Sequence, residues 1–388
     1  MHQPSSTYDY IITGFGCAGM SLLYHLLASG LKDKKILVID SANKTENDRT
    51  WCYWAENPLD IHPKNSPLIY WENIAISKGK ELVKKPLGKL KYFHIKSSDF
   101  YQEILGKIKN YPNIHFLQDA VTSLEDLPQK SVKVVTKNNG SFFAQKAFNS
   151  IPDYKAGASN KKILKQIFLG WKIKLKNKRF DKSTAVMMDF DEKEASKTAF
   201  FYILPFSEKE ALLEYTVFST ENVELAAMES QLKKYIHENL SAKEYEITFR
   251  EEGSIPMTTF EFSKSESQNI ISLGTLAGCS KPSTGYTFHN IQKHCQTIVQ
   301  VLENNKAVEK LNWERKSRFN FYDNIILNIA KKWPNALPAV FVNLFQVNSG
   351  PAVLSFLNEE TSLLQEINLL IKLRFPIFIK SLIYYEKH

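Results

Sequence analysis

Apolar residues follow two periods along this chain. Tyr8–Thr13 and Lys35–Ile39 are short apolar runs suited to buried strands, and Met20 to Ser29, between them, carries apolar residues at helical spacing. Strand, helix and strand read as a parallel βαβ unit. Ile114–Leu117 and Val132–Thr136 add strands to the same sheet. A late strand, Ile270–Leu273, ends at Gly274 and leads through a loop into a helix from about Thr287 to Leu302. The stretch 156–264 reads mainly as strands. Within it, Thr198–Phe206 and Ala211–Ser219 flank the polar Ser207–Glu210 as a hairpin. Residues 225–239 form one amphipathic helix. From about 303 the pattern turns to helices rich in Phe, Leu and Ile. The predicted fold class is α/β in three parts: a discontinuous domain of 1–155 and 265–302, a mainly β domain of 156–264, and a helical region of 303–388.

The turn after the first strand carries chemistry. Gly14-Phe15-Gly16-Cys17-Ala18-Gly19 matches the spacing of a dinucleotide fingerprint, and the second strand ends on Asp40. Gly14 permits the tight turn, Gly16 lets a pyrophosphate approach the backbone, and Gly19 lets helix and strand pack closely. Cys17 and Ala18 sit at the helix N-terminus, where N–H groups and the helix dipole favour an anion. Asp40 can accept from a ribose hydroxyl. Arg49 follows nine residues later, placed for a phosphate or ribose contact. Gly274 and the loop holding Thr284 and Gly285 are expected to return to the same cofactor. The fingerprint alone leaves flavin or nicotinamide open.

Bulk composition adds less. The chain has 388 residues, 43% hydrophobic and 23% charged, which suits a folded protein with a sizeable core. Its formal charge is +9. With no nucleic-acid motif in the chain, that charge points to an anionic membrane surface. Four well-separated cysteines, Cys17, Cys52, Cys279 and Cys295, fit a reducing compartment and no zinc site. The histidines show no metal spacing, so no metal is expected. No secretory signal and no eighteen-residue apolar window is present, so a cytoplasmic protein lying against the membrane is expected, with its oligomeric state open.

A set of short motifs narrows the reading. Asp48-Arg49-Thr50-Trp51-Cys52-Tyr53-Trp54 comes first. Phe168-Leu169-Gly170-Trp171, Phe180-Asp181 and Met188-Asp189-Phe190 follow. Then come Leu204-Pro205-Phe206 with Leu212-Leu213-Glu214-Tyr215-Thr216, and Glu251-Glu252-Gly253 with Ile255-Pro256-Met257. Gly278 with Pro282-Ser283-Thr284-Gly285-Tyr286 closes the series. In order and spacing these resemble the lycopene cyclase family of carotenoid biosynthesis, in particular bacterial β-cyclases. The resemblance implies a Rossmann-type FAD-binding flavoprotein of the hydroxylase and reductase kind. It implies FAD without net redox change, held reduced with NAD(P)H as the expected reductant, and lycopene or related carotenes as substrate. In that family two adjacent carboxylates are common in the acidic motif, whereas here the second position is Tyr215.

The chemistry asks for a dry, protonated acid, because an alkene is a very weak base. Burial can raise a carboxyl pKa by about 3–5 units. Alternation on the strand 211–219 places Glu214 on one face with Leu212, Thr216 and Phe218, as a buried acid would need. Glu251 and Glu252 are the second candidates, and only one of them can face inward. Trp51, Tyr53, Trp54, Trp171 and Tyr286 are available to support a carbocation. The leading expectation is an FAD-dependent lycopene β-cyclase. The alternative is a flavin monooxygenase or reductase acting on an apolar isoprenoid lipid, and a non-catalytic pigment carrier stands third. Residues 319–385, with Phe341, Phe345, Phe356, Phe375, Phe378 and Ile379 among Lys372, Arg374 and Lys380, are expected to rest on an anionic leaflet.

Overall fold

The computed structural model describes residues 7–128, 131–151, 163–190, 197–260, 267, 269–304 and 315–388. The expected domain boundaries at 155/156 and 264/265 lie outside the described residues.

The first sheet is built around β1 (Thr7–Thr13), whose residues from Tyr10 onward are almost all buried. It lies parallel to β2 (Ile36–Asp40), which in turn pairs with β8 (Ile114–Gln118). Parallel strands covered on both faces need such continuous apolar runs. On the other side β1 is parallel to β11 (Ser141–Asn149). Along that edge, β11 meets β10 (Ser131–Thr136) and then β9 (Val121–Leu127) in an antiparallel meander, while its end pairs with β17 (Ile270–Ser272). Helices α1 (Cys17–Leu27) and α4 (Phe288–Glu303) pack together on this sheet through Met20, Leu23, Ile291 and Ile298. Beside them lies α2 (Ser97–Ile108).

The larger sheet has seven strands in the order β16-β12-β15-β14-β13-β5-β6. These are β16 (Tyr245–Met257), β12 (Leu164–Leu175), β15 (Glu210–Ser219), β14 (Ala199–Pro205), β13 (Thr184–Phe190), β5 (Asn73–Lys78) and β6 (Glu81–Pro86). The hairpin over 198–219 forms as its alternation predicts. Strands β5 and β6 correct the expected division. They lie within 1–155 yet extend the second sheet, with β5 parallel to β13. A small third sheet, β3 (Thr50–Ala55), β7 (Lys91–Lys96) and β4 (Ile69–Trp71), joins the two.

Each face of the large sheet has its own core. On one, Leu213, Tyr215 and Val217 of β15 pack with Trp171 under α3 (Leu225–Glu238) through Met228, Leu232 and Ile236. On the other, Leu212 and Phe218 join Met187, Phe190 and Phe200. This second face is covered by α5 (Ser317–Lys332), α6 (Leu337–Val347) and α7 (Gly350–Leu357). Phe341, Phe345 and Phe356 are thus core residues, which corrects their assignment to a membrane face. The exposed apolar surface lies further on, in α8 (Leu363–Leu370) and α9 (Pro376–Ile383). Among the described residues no helix is long and apolar enough to cross a membrane.

Candidate active site

The three glycines after β1 divide their work. Gly14 has φ +83°, and a Cβ on it would come within 2.3 Å of Ser150 Oγ. A Cβ on Gly19 would lie 2.2 Å from the Gly14 carbonyl oxygen, so α1 rests directly on the turn. Gly16 is different: nothing lies within 4 Å of the Cβ position. It is the N-cap of α1, and no side chain caps that terminus. The first N–H groups of the helix therefore face open space, as an anion site requires. Asp40 braces this turn. Its Oδ2 accepts from Phe15 N at 2.6 Å, its Oδ1 accepts from Ala42 N at 2.8 Å, and Lys44 Nζ is 3.1 Å from Oδ1. Asp40 is absent from the wall of the cavity described next, so a ribose would have to approach it from outside.

One cavity of about 420 Å³ joins the nucleotide-type turn to the large sheet. Gly16, Cys17, Ala18 and Arg49 line one side, with Gly274, Thr284 and Gly285 beside them. Gly274 (φ +60°) brings its backbone so close that a Cβ would sit 3.0 Å from Ala18 Cβ. Opposite lies the sheet face bearing Phe168, Met187, Met188, Phe200, Tyr202, Leu204, Leu212, Glu214 and Glu251. Met187 and Met188 are consecutive, yet both reach the cavity. The register of β13 slips at this point against both β14 and β5, and such a bulge re-aims a side chain.

The sheet register sets the acidic groups. Gly170 of β12 pairs with Glu214 on one side and Glu251 on the other, and Tyr202 is the next partner of Glu214. Residues directly opposite share a face, so Glu251, Gly170, Glu214 and Tyr202 form one row across four strands. A side chain at 170 would fill the space between the acids: its Cβ would be 3.0 Å from Glu251 Cγ and 3.3 Å from Leu212 Cδ1. Glu214 accepts from the Thr216 hydroxyl at 2.9 Å. Burial, and then the charge of Glu251, push its carboxyl well above the usual range. Burial raises Glu251 as well, but Thr50 and the Arg49 charge pull it back. Two like groups in one dry site tend to share a proton. At the end of the row the Tyr202 and Tyr92 hydroxyls hydrogen-bond to each other, and burial keeps both phenols neutral.

The polar atoms left over indicate what the cavity holds. Gln166 Oε1, Glu251 Oε1 and Thr284 Oγ1 are buried, belong to residues that line the cavity and have no hydrogen-bond partner among the described residues. Buried polar groups without partners are rare unless a ligand satisfies them. With the open helix terminus at Gly16, Gln166 and Thr284 fit a dinucleotide with a polar ring system, its pyrophosphate at Cys17 and Ala18, while Glu251 Oε1 sits in the carboxyl row beside Glu214. The loop carrying Thr284 is anchored from behind. Lys281, 3% exposed, lies 3.2 Å from Asp323 and 3.0 Å from Glu359, and Arg315 pairs with both carboxylates.

The sequence model of the family described as "Lycopene cyclase protein" matches residues 9–382. The chain belongs to the lycopene cyclase family. None of the curated proteins compared with it matches it in sequence. Among solved structures, a geranylgeranyl bacteriochlorophyll reductase-like protein from Thermoplasma acidophilum superposes with TM-score 0.65 at 11% identity, over 97% of this chain and 98% of that one. The halogenase PltM in complex with phloroglucinol and FAD gives TM-score 0.58 at 12% identity, over 97% and 86%. PqsL, a probable FAD-dependent monooxygenase from Pseudomonas aeruginosa, gives 0.55 at 12%, over 91% and 100%. At such identities the likeness establishes the shared fold.

Most of this site is legible in the sequence. The structure brings Gly16, Cys17, Ala18, Arg49, Gly274, Thr284 and Gly285 together with Glu214 and Glu251. Glu252 is the correction: it is exposed and points away from the cavity. Of the five aromatics named beforehand, Trp51 and Tyr286 line the cavity, whereas Tyr53, Trp54 and Trp171 pack into hydrophobic cores. Sequence reasoning missed Tyr92, Tyr202, Gln166 and the role of Gly170. Tyr202 was within reach, because the hairpin places it opposite Glu214 once the turn at Ser207–Glu210 is fixed.

Proposed function

We propose that this chain is a lycopene β-cyclase, which closes the acyclic ends of lycopene into β-rings by acid catalysis. The observation that carries the reading is the row Glu251–Gly170–Glu214: two carboxyls on one sheet face, in the same cavity as the open phosphate turn. Glu214, kept protonated by its surroundings, donates to the terminal double bond. The apolar wall of Phe168, Met187, Met188, Phe200, Leu204 and Leu212 holds the polyene end and excludes water, which would otherwise trap the cation. Phe168, Tyr202 and Tyr286 line the same cavity, and an aromatic ring meeting that cation face-on contributes about 2 kcal/mol when desolvated. Gly16, Cys17 and Ala18 would hold FAD, which, kept reduced by NAD(P)H, would supply negative charge toward the cation without net electron transfer.

Expression in a lycopene-accumulating host tests this. Wild type should convert lycopene to a product of unchanged mass, and Glu214→Gln should keep flavin while leaving lycopene intact. Product heavier by one oxygen would favour a monooxygenase, and added hydrogens a reductase. A Glu214→Gln variant that cyclises at the wild-type rate would remove Glu214 from the role of acid.

The same reading includes an anionic membrane as the source of the carotene. In α8, α9 and the turn between them, Leu364 is 79% exposed, Ile371 64% and Ile383 72%, alongside exposed Lys372, Arg374 and Lys380. An apolar patch rimmed by cations suits a lipid surface. Leu364→Glu with Ile383→Glu should abolish flotation with anionic liposomes, since each buried side chain contributes about 1.5–3 kcal/mol. Equal flotation of variant and wild type would refute this docking face.

A further inference from the structure

The proposed reaction needs two proton transfers of opposite sense, and Glu214 serves only the first. The other carboxyl of the row has the geometry for the second. Glu251 lines the cavity and is 5% exposed, and its Oε1 has no hydrogen-bond partner among the described residues. A Cβ at Gly170 would lie 3.4 Å from that oxygen, so the carboxylate leans into the room the glycine leaves. The flanks of the two acids differ. Burial raises both carboxyls, but at Glu251 two hydrogen bonds from Thr50 and the Arg49 charge oppose it, whereas at Glu214 only the Thr216 hydroxyl does and the Glu251 charge adds to the rise. A pair whose surroundings differ in this sense divides into an acid and a base.

We propose that Glu251 is the base of the cyclisation and that its position selects the β-ring. This rests on the cyclase reading above. The Glu214 O–H bond breaks, and the π pair of the terminal double bond forms the new C–H bond. The cation left on the adjacent carbon is attacked by the neighbouring double bond, which closes the ring and moves the charge to a ring carbon. Three neighbours of that carbon bear hydrogen. The Glu251 carboxylate takes the proton from the one that joins the polyene, and the C–H pair becomes the ring double bond of a β-ring. Loss from the ring methylene would give an ε-ring, and loss from the methyl group an exocyclic double bond. Glu214 ends ionised and Glu251 protonated. One proton then returns from Glu251 to Glu214 by way of solvent, and the pigment's composition is unchanged.

The test compares wild type, Glu251→Gln and Glu251→Asp in a lycopene-accumulating host, with flavin content read from absorbance and ring type from chromatography and proton NMR. Wild type that forms no rings refutes the cyclase reading itself, whatever the variants do. Given wild-type rings, Glu251→Gln should retain flavin and lose at least about 100-fold in ring formation, the usual scale for removing a general base. Any rings it forms should be enriched in ε or exocyclic isomers. Glu251→Asp should restore β-ring formation above the Gln level, which a purely structural role would not do. The proposal is overturned if the residual rings of Glu251→Gln are all β. It is equally overturned if Glu251→Asp is no more active than Glu251→Gln.

Discussion

Replacing Gly16 with valine should separate folding from cofactor binding. Gly16 has φ −82° and ψ −160°, a conformation open to any L-residue, and its Cβ position is free to 4 Å. The flavin-free protein therefore loses only a cap preference of about 1 kcal/mol. In a chain of this size that corresponds to a Tm lower by about 2–4 °C or less. The complex suffers far more. The isopropyl group fills the space through which the Cys17 and Ala18 N–H groups would reach a pyrophosphate. Two charge-assisted hydrogen bonds at about 1.5–3 kcal/mol each are lost. Together they amount to about 3–6 kcal/mol, or about two to four orders of magnitude in Kd. Gly19→Ala is the control, because its Cβ meets the Gly14 carbonyl oxygen at 2.2 Å and the fold itself must give way. FAD titration of stripped protein by flavin fluorescence, with thermal melts by circular dichroism, measures both effects. Near wild-type affinity in Gly16→Val would refute the phosphate placement. A melting point lower by more than about 10 °C would refute the claim that the site is empty space.

Other outcomes follow from the acid pair and its supports. Burial and the Glu251 charge push the Glu214 carboxyl up from 4.5 to about 8, so cyclisation should fall as pH rises through about 8. Between about 4.5 and 8 the folded protein holds a proton that the unfolded chain sheds, so stability falls as pH rises across that window and levels off above it, which pH-dependent melts would show. Thr216→Val removes a hydrogen bond that favours ionised Glu214, and should move the alkaline limb of the pH–rate profile upward; a downward shift would contradict the assignment. Lys281→Met takes one of two cations from Asp323 and Glu359 among the described residues, leaving Arg315, and breaking such a buried pair costs about 3–5 kcal/mol. Its melting point should drop and its FAD affinity weaken with the 281–285 loop, whereas an unchanged melt would show that the network is dispensable.

What the sequence disclosed and what it withheld divide along the range of the interactions. The βαβ turn, the late Gly274 and the 199–219 hairpin are local, so periodicity and glycine spacing reveal them. Glu251 and Glu252 show the limit. Alternation says that one faces inward, but which one depends on pairing with β12 about eighty residues away. Strands β5 and β6 read as part of the first domain because nothing local marks a partner as distant as β13. Phe341, Phe345 and Phe356 looked like membrane contacts for a related reason. A core and a bilayer select the same apolar stripe, and only the β-sheet packed against these helices distinguishes them.

The acid pair depends on a register that its own residues do little to hold. A slip of one residue between β12 and β15 would turn Glu214 to the opposite face. Ten consecutive pairs from Lys165–Ser219 to Lys174–Glu210 oppose that slip. So does the reverse face, where Leu213, Tyr215 and Val217 are sunk under α3 and would be forced into the cavity. Tyr215 therefore has a reason to stand where a second carboxylate is common in the family's acidic motif. It is 4% exposed on the face that fixes the strand, where an ionised side chain would be costly to bury. The second carboxyl of the row comes from Glu251 on β16 instead, across a glycine that leaves room for both. One strand face anchors the register, and the other presents the chemistry that the register makes possible.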